Sequence, residues 1–425
     1  MPSSASAEFT CELAAELAEG ALERFLRYVR IDTQAEYGSS TYPSTAKQLD
    51  LSRLLAEELR GLGAADVELT EHGYVFATIP GLPDGPVVGL MAHVDTTPDV
   101  TGTDVQPIVH AAWDGAPIVL PGDPAQVLDP EESPELAARV GHDIVTSDGT
   151  TLLGADDKAG VAEIMAAVEY LLSHPDPTRA TVRVAFTVDE EVGAGTKHFD
   201  LERFGADVAY TLDGSGLGDL EIETFSADQV IVTIRGRSFH PGTAKGKLVS
   251  AIKLAADLVA ALPRDSLSPE TTEGREGFVH PAAIQGSTEE ARVRFIVRDH
   301  DNERLAEHVD VLRRLADEVV ARESRARVTV DVTETYRNMR PAIEAQPRVV
   351  EAAEEAIRRI GVEPHRPLIR GGTDGAMLTA RGLPTPNLFT GGQEYHSVRE
   401  WLSVQDMAAA TAMIVELVKV WGEPA

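Results

Sequence analysis

The run Val87-Val88-Gly89-Leu90-Met91-Ala92 is apolar without a break and stops at His93-Val94-Asp95-Thr96. A strand with apolar residues on both faces must be covered on both, which places it inside a parallel or mixed sheet flanked by helices. Two further strands repeat the pattern: Thr181 to Val188 ends in Asp189-Glu190-Glu191-Val192-Gly193, and Asp207 to Leu212 ends in Asp213-Gly214. An acid or an imidazole therefore stands at each tip, on the carboxyl edge where open α/β sheets bind their ligands. Side chains alternate along extended backbone, so His93 and Asp95 share a side. Glu190 and Glu191 need not share a task; one can hold a cation while the other moves a proton.

The remaining elements frame those tips. Leu13, Leu17, Ala21, Leu22, Phe25, Leu26 and Val29 fall at helical spacing, and Leu49, Leu51, Leu54, Leu55 and Leu59 mark a second helix with Ser44 as its N-cap and Gly61 or Gly63 at its end. Val75 to Ile79 is a strand, and 98–141, rich in Pro, Gly and Asp, is an irregular excursion without evident chemistry. Asp156 opens the helix Val161 to Leu172, where a carboxylate suits the dipole as a cap or as a ligand. From 220 to 335 the texture changes to strands (229–236, 291–298, 328–332) and two helices (248–262, 302–322), a compact α+β unit. A strand at 384–389 and a helix at 406–421 restore the α/β character. A chain of 425 residues exceeds one ordinary core. The predicted organisation is an α/β domain built from 1–219 and 336–425, carrying an inserted domain at 220–335.

Charge and cysteine content limit what such a chain works on. With 69 acidic and 38 basic residues its formal charge is −31, which repels nucleic-acid phosphates and anionic lipid, so neither is an expected partner. Cys11 is the only cysteine, which leaves His, Asp and Glu as candidate metal ligands. Met1 to Ala7 has neither the basic start nor the apolar run of a signal peptide and reads as a frayed tail; no stretch is apolar enough to span a bilayer. A cytoplasmic protein is expected.

Gathered together, the tips are His93, Asp156, Glu190, Glu191 and Asp213, joined by His396 of Gly391-Gly392-Gln393-Glu394-Tyr395-His396. Two imidazoles and three carboxylates are the inventory of two zinc-type ions sharing a bridge, with one carboxylate to spare for proton transfer. Asp95, two residues past His93, is placed to orient it.

These residues lie in runs that together resemble the peptidase T family of tripeptide aminopeptidases, within metallopeptidase family M20. The runs are His93-Val94-Asp95-Thr96, Gly154-Ala155-Asp156-Asp157-Lys158-Ala159-Gly160, Asp189 to Gly193, Ala209-Tyr210-Thr211-Leu212-Asp213-Gly214, Ser238-Phe239-His240-Pro241-Gly242, Val297-Arg298-Asp299, Ile369-Arg370-Gly371-Gly372-Thr373-Asp374-Gly375 and Tyr395-His396, in the family's order. Gln393-Glu394 departs from the Tyr-Asn expected there. The resemblance implies a mixed-sheet zinc-peptidase domain with an inserted lid. It implies two zinc ions, with Co2+ or Mn2+ as alternatives, held by His93, Glu191, Asp213 and His396 as terminal ligands and by Asp156 as the bridge. It further implies that a metal-bridging hydroxide attacks, with Glu190 as general base and then acid.

For the lid, the resemblance makes His240 a stabiliser of the tetrahedral oxyanion. Arg298 and Arg370 become donors to the substrate's free carboxylate, which suits a planar two-pronged guanidinium. The implied reaction is release of the N-terminal residue from tripeptides, with a homodimer left open. The alternatives are an M20-type dipeptidase, an N-acyl amino acid deacylase, and a non-catalytic metal- or peptide-binding module.

Overall fold

The computed structural model describes residues 7–424. Of the expected tail, 1–6 lie outside the described residues, and the Ala7 N–H donates to Gly141 O at 2.8 Å. In chain order the elements that build the larger part are α1 Glu12–Tyr28, α2 Gln48–Leu62, β1 Ala65–Leu69, β2 Val75–Ile79, β3 Val87–His93, α3 Ala155–Ser173, β4 Thr181–Thr187, β5 Val208–Gly214 and β6 Leu220–Glu221. There follow β7 Ser226–Arg235, α4 Ala251–Ala260, β8 Phe278–Gly286, β9 Glu290–Asp299, α5 Asn302–Ala321 and β10 Arg327–Tyr336. The chain closes with α6 Pro347–Arg359, α7 Asp374–Ala380, β11 Asn387–Phe389 and α8 Val404–Gly422.

Two compact units result. One holds the chain up to Ile222, Pro341–Pro367 and Thr373 onward; the other holds Glu223–Arg340 and Leu368–Gly372. The expected division at 220 and 335 differs chiefly in omitting Leu368–Gly372, a short return excursion with no composition shift to betray it.

The first unit is a mixed sheet of order β1-β2-β4-β3-β5-β11-β6. β4, β3, β5 and β11 run parallel, and β2 and β6 join antiparallel. The parallel register pairs His93 with Thr187 and Met91 with Thr211, so the three strand tips finish level at one edge. α1, α3 and α8 pack on one another, and α3 also packs on β3 and β5. Gly160 permits that approach: a Cβ there would stand 2.1 Å from Leu212 O. The second unit is an antiparallel sheet, β8-β9-β7-β10. Its inward residues Val230, Val232, Val293 and Phe295 pack with Leu254, Leu258, Leu305 and Leu312 of α4 and α5, while Arg292 and Arg294 face water.

Several local expectations change. α2 begins at Gln48 without a side-chain cap, because the Ser44 hydroxyl is engaged elsewhere. Cys11 instead caps α1, its Sγ accepting from Ala14 N at 3.4 Å. Residues 98–141 carry short strands at Ile108–His110, Ile118–Val119 and Val127–Leu128 around a small core that includes Trp113, Leu120 and Trp401. β8 gave no sequence signal because its exposure does not alternate and Pro281 sits at a register shift.

Glu163 in α3 is buried with neither carboxyl oxygen partnered, and burial pushes its pKa well above the usual carboxylate range. The folded chain thus keeps a proton that the unfolded chain releases above about pH 4.3, and stability falls as pH rises from there toward the raised value. Glu163→Met therefore stabilises the fold and raises the unfolding temperature, more at pH 8 than at pH 5, with a gain in unfolding free energy of about 1–3 kcal/mol at the higher pH. Calorimetry of both proteins at the two pH values checks this; equal stability at pH 8 contradicts it.

Candidate metal centre

His93 closes β3 and is fixed before any ligand arrives. Its backbone N–H donates to Asp157 Oδ2 at 3.0 Å, and its Nδ1 lies 3.1 Å from the Asp95 carbonyl oxygen. A proton on Nδ1, donated to that carbonyl, leaves the Nε2 lone pair free. Nε2 stands 3.0 Å from Asp156 Oδ1 and 3.7 Å from Asp213 Oδ1. On the other side, His396 Nε2 is 3.1 Å from Asp156 Oδ2 and 3.0 Å from Glu191 Oε2. Asp156 thus presents one oxygen to each imidazole.

The turn after β4 supplies the two adjacent glutamates. Asp95 is fully buried and spends its carboxylate on them: Oδ1 accepts from Glu190 N and Oδ2 from Glu191 N, both at 3.1 Å. Asp95 Oδ1 is also 3.4 Å from His93 Nδ1, so one side chain ties the β3 tip to the acidic turn. Among the described residues nothing donates to the Glu190 carboxylate, and Glu191 Oε1 is buried without a partner.

The charges of this cluster do not balance. Burial raises Glu190 well above the carboxylate range and Glu191 to about 8, and it raises Asp157, Asp213 and, to about 7, Asp374. Asp156 goes the other way, because hydrogen bonds with His396 and His93 outweigh its burial. Bonds to Asp156 and Glu191 lift His396 to about 11, and those from Asp156, Asp213 and Asp95 lift His93 against the effect of burial. Crowded acids with orphaned oxygens and imidazole lone pairs fit divalent cations. Ligand atoms of His93, Asp156 and Glu191 lie within 4.8 Å of one another, as do those of His93, Asp157 and Asp213. The donor set is nitrogen and carboxylate oxygen, which suits zinc, cobalt or manganese.

The pattern of the family described as peptidase family M20/M25/M40 matches residues 145–420. The chain is 45% identical over 406 residues to peptidase T of Geobacillus kaustophilus, covering 95% of this chain and 98% of that protein. To peptidase T of Bacillus subtilis it is 45% identical over 403 residues, covering 94% and 98%. The chain belongs to the peptidase T group of family M20/M25/M40. Two solved structures share the fold: aminopeptidase PepT from Bacillus cereus, with TM-score 0.72, 24% identity and coverage of 96% and 99%, and a tripeptidase from Staphylococcus aureus, with TM-score 0.74, 23% identity and coverage of 95% and 98%.

Three residues singled out in this M20 peptidase belong to its second unit. His240 is exposed, and its Nδ1 accepts from Gly242 N at 3.2 Å, which leaves the proton on Nε2. Arg298 is half-buried over the Tyr336 ring at 5.3 Å, and its buried Nη1 meets no acceptor among the described residues. The Tyr336 hydroxyl is likewise buried and unpartnered. Arg370 differs: Nη1 donates to Gly274 O and Glu276 O, and Nη2 to Thr272 O and Oγ1. Its fork meets a loop of its own unit on every side, so a substrate carboxylate would have to compete with these acceptors.

Sequence reasoning passed over several residues beside the metal cluster. Glu400 is buried and accepts from Leu153 N and Gly154 N at 2.8 Å and from Asp156 N at 3.0 Å, fixing the turn that carries Asp156. Asp374 accepts from Thr187 Oγ1 at 2.9 Å. Asp374 lay within a recognised run, whereas Glu400 had only its position four residues after His396. Glu394, half of the departure from Tyr-Asn, is met by Arg399 at 3.4 Å. No helix among the described residues is long and apolar enough to cross a membrane.

Loading the metal-free peptidase with Zn2+, Co2+ or Mn2+ raises its unfolding temperature, since binding to the folded state stabilises it. Chelator abolishes peptide hydrolysis until metal returns. Thermal unfolding and hydrolysis assays indifferent to both treatments would empty this cluster of its assigned role.

Proposed function

We propose that the chain is a zinc-dependent aminopeptidase that releases the N-terminal residue of tripeptides, with Glu190 as the proton shuttle. The observation that carries this is Asp156, one oxygen toward each of two imidazoles, beside a glutamate whose carboxylate nothing engages. His93 and Asp213 with Asp156 would hold one ion, and His396 and Glu191 with Asp156 the other. When bound, two such ions acidify a water and polarise the scissile carbonyl. Glu190 takes the proton of the attacking water and gives it to the departing amine; burial raises its pKa, which strengthens it as a base. Asp95 keeps the His93 proton on Nδ1 and holds the backbone of Glu190.

His240 offers an Nε2–H to the oxygen that gains charge in the tetrahedral state. Arg298 is assigned to the peptide's free carboxylate, with the Tyr336 hydroxyl as a second donor, because both have buried, unmet polar atoms.

Glu190→Gln keeps two ions per chain while kcat falls about 10²–10⁴-fold; metal analysis beside steady-state kinetics on di-, tri- and tetrapeptides checks it. Unchanged turnover in that variant removes the mechanism, and hydrolysis of acylated amino acids with tripeptides untouched makes the chain a deacylase. Arg298→Met raises KM for a free tripeptide about 10–100-fold, the loss of a charge-assisted bond, and leaves the tripeptide amide nearly unaffected. Equal losses on both substrates overturn the assignment of Arg298.

A further inference from the structure

Asp189 is the first acid of the turn and the one without a metal or proton role. It is buried, and its φ of 60° lies in the left-handed region, which side chains other than glycine rarely adopt. Such a conformation persists only where the surroundings over-determine it, and here they do. Asp189 Oδ2 accepts from Ser44 N at 2.7 Å, while Oδ1 accepts from Ser44 Oγ at 2.5 Å and from Gln48 Nε2 at 2.7 Å. The Gln48 amide also takes the backbone: Asp189 N donates to Gln48 Oε1 at 3.1 Å. The Asp189 carbonyl accepts from Ala194 N at 2.9 Å, closing the turn. Ser44 and Gln48 are buried in turn, and Ser44 Oγ accepts from Glu36 N at 3.0 Å.

The backbone torsions of Asp189 decide where the next two side chains point. Asp95 grips the amides of Glu190 and Glu191 from one side; the start of α2 grips Asp189 from the other. We infer that Ser44 and Gln48 are positioning residues that act through Asp189 to aim Glu190 and Glu191. This rests on the reading of Glu190 as base and Glu191 as metal ligand. It explains why the expected cap of α2 leaves its helix uncapped, and why an acid with no ligand role is buried at a left-handed position that glycine would occupy without strain.

The test separates torsion from anchoring. Asp189→Gly adopts the left-handed backbone freely but offers no carboxylate; Ser44→Ala and Gln48→Leu remove donors at a distance; Ser44→Thr restores the hydroxyl. Each is measured for kcat and KM on a tripeptide, for Co2+ affinity and absorption spectrum after metal exchange, and for unfolding temperature. We expect kcat and Co2+ affinity to fall about 10–100-fold in the first three, with KM nearly constant, a changed Co2+ spectrum, and recovery in Ser44→Thr. Wild-type kcat and spectrum in Asp189→Gly, or a loss of unfolding temperature alone in Ser44→Ala and Gln48→Leu, overturns the inference. Ser44→Ala, the mildest change, carries the test where Asp189→Gly does not fold. A fully active Glu190→Gln measured alongside would instead sink the reading of the base and leave the positioning data to stand by themselves.

Discussion

Like charge crowded at the carboxyl ends of the parallel strands of a mixed sheet is the constraint around which this fold is arranged. Three strand tips and two loops bring acids together where protein has replaced water, and each would be neutral or displaced if nothing compensated it. Compensation comes in two forms. Some acids face imidazole nitrogens and one another, in the pattern that cations complete. Others turn away and spend their oxygens on backbone amides: Asp95 on Glu190 and Glu191, Asp157 on His93, Glu400 on Leu153, Gly154 and Asp156. The second group makes the geometry of the first rigid, which is why so many carboxylates coexist in so small a volume.

The same distinction separates the two arginines of the second unit. Arg370 lies over Phe225 and Phe278 with its donors spent on loop carbonyls, a guanidinium used as mortar. Arg298 lies over Tyr336 with its donors unspent. A buried donor without an acceptor is costly to keep, and in the proposed function a substrate carboxylate would offset that cost.

Much of this was readable from residue order alone, for a physical reason. Strands buried on both faces announce themselves as unbroken apolar runs, and polar groups stranded at their ends have few structural excuses, so His93, Glu190, Glu191 and Asp213 stood out. His396 and Asp156 needed the surrounding motif. Glu400, Ser44 and Gln48 could not be read at all: their partners lie 244, 145 and 141 residues away, and one serine before a leucine-rich helix looks the same whether it caps that helix or holds a distant aspartate. The loop that surrounds Arg370 was equally hidden, because a motif identifies a residue without saying which neighbours meet its hydrogens.

His396 and Glu400 come from the same short segment, four residues apart, and reach the same Asp156, one by its imidazole and the other by its carboxylate. That segment is translated only after the entire second unit. The contacts around Asp156 are therefore complete only when residues 396–400 have joined those of 93–156. One short loop between Gln393 and Trp401 thus joins two distant stretches of polypeptide at a single carboxylate.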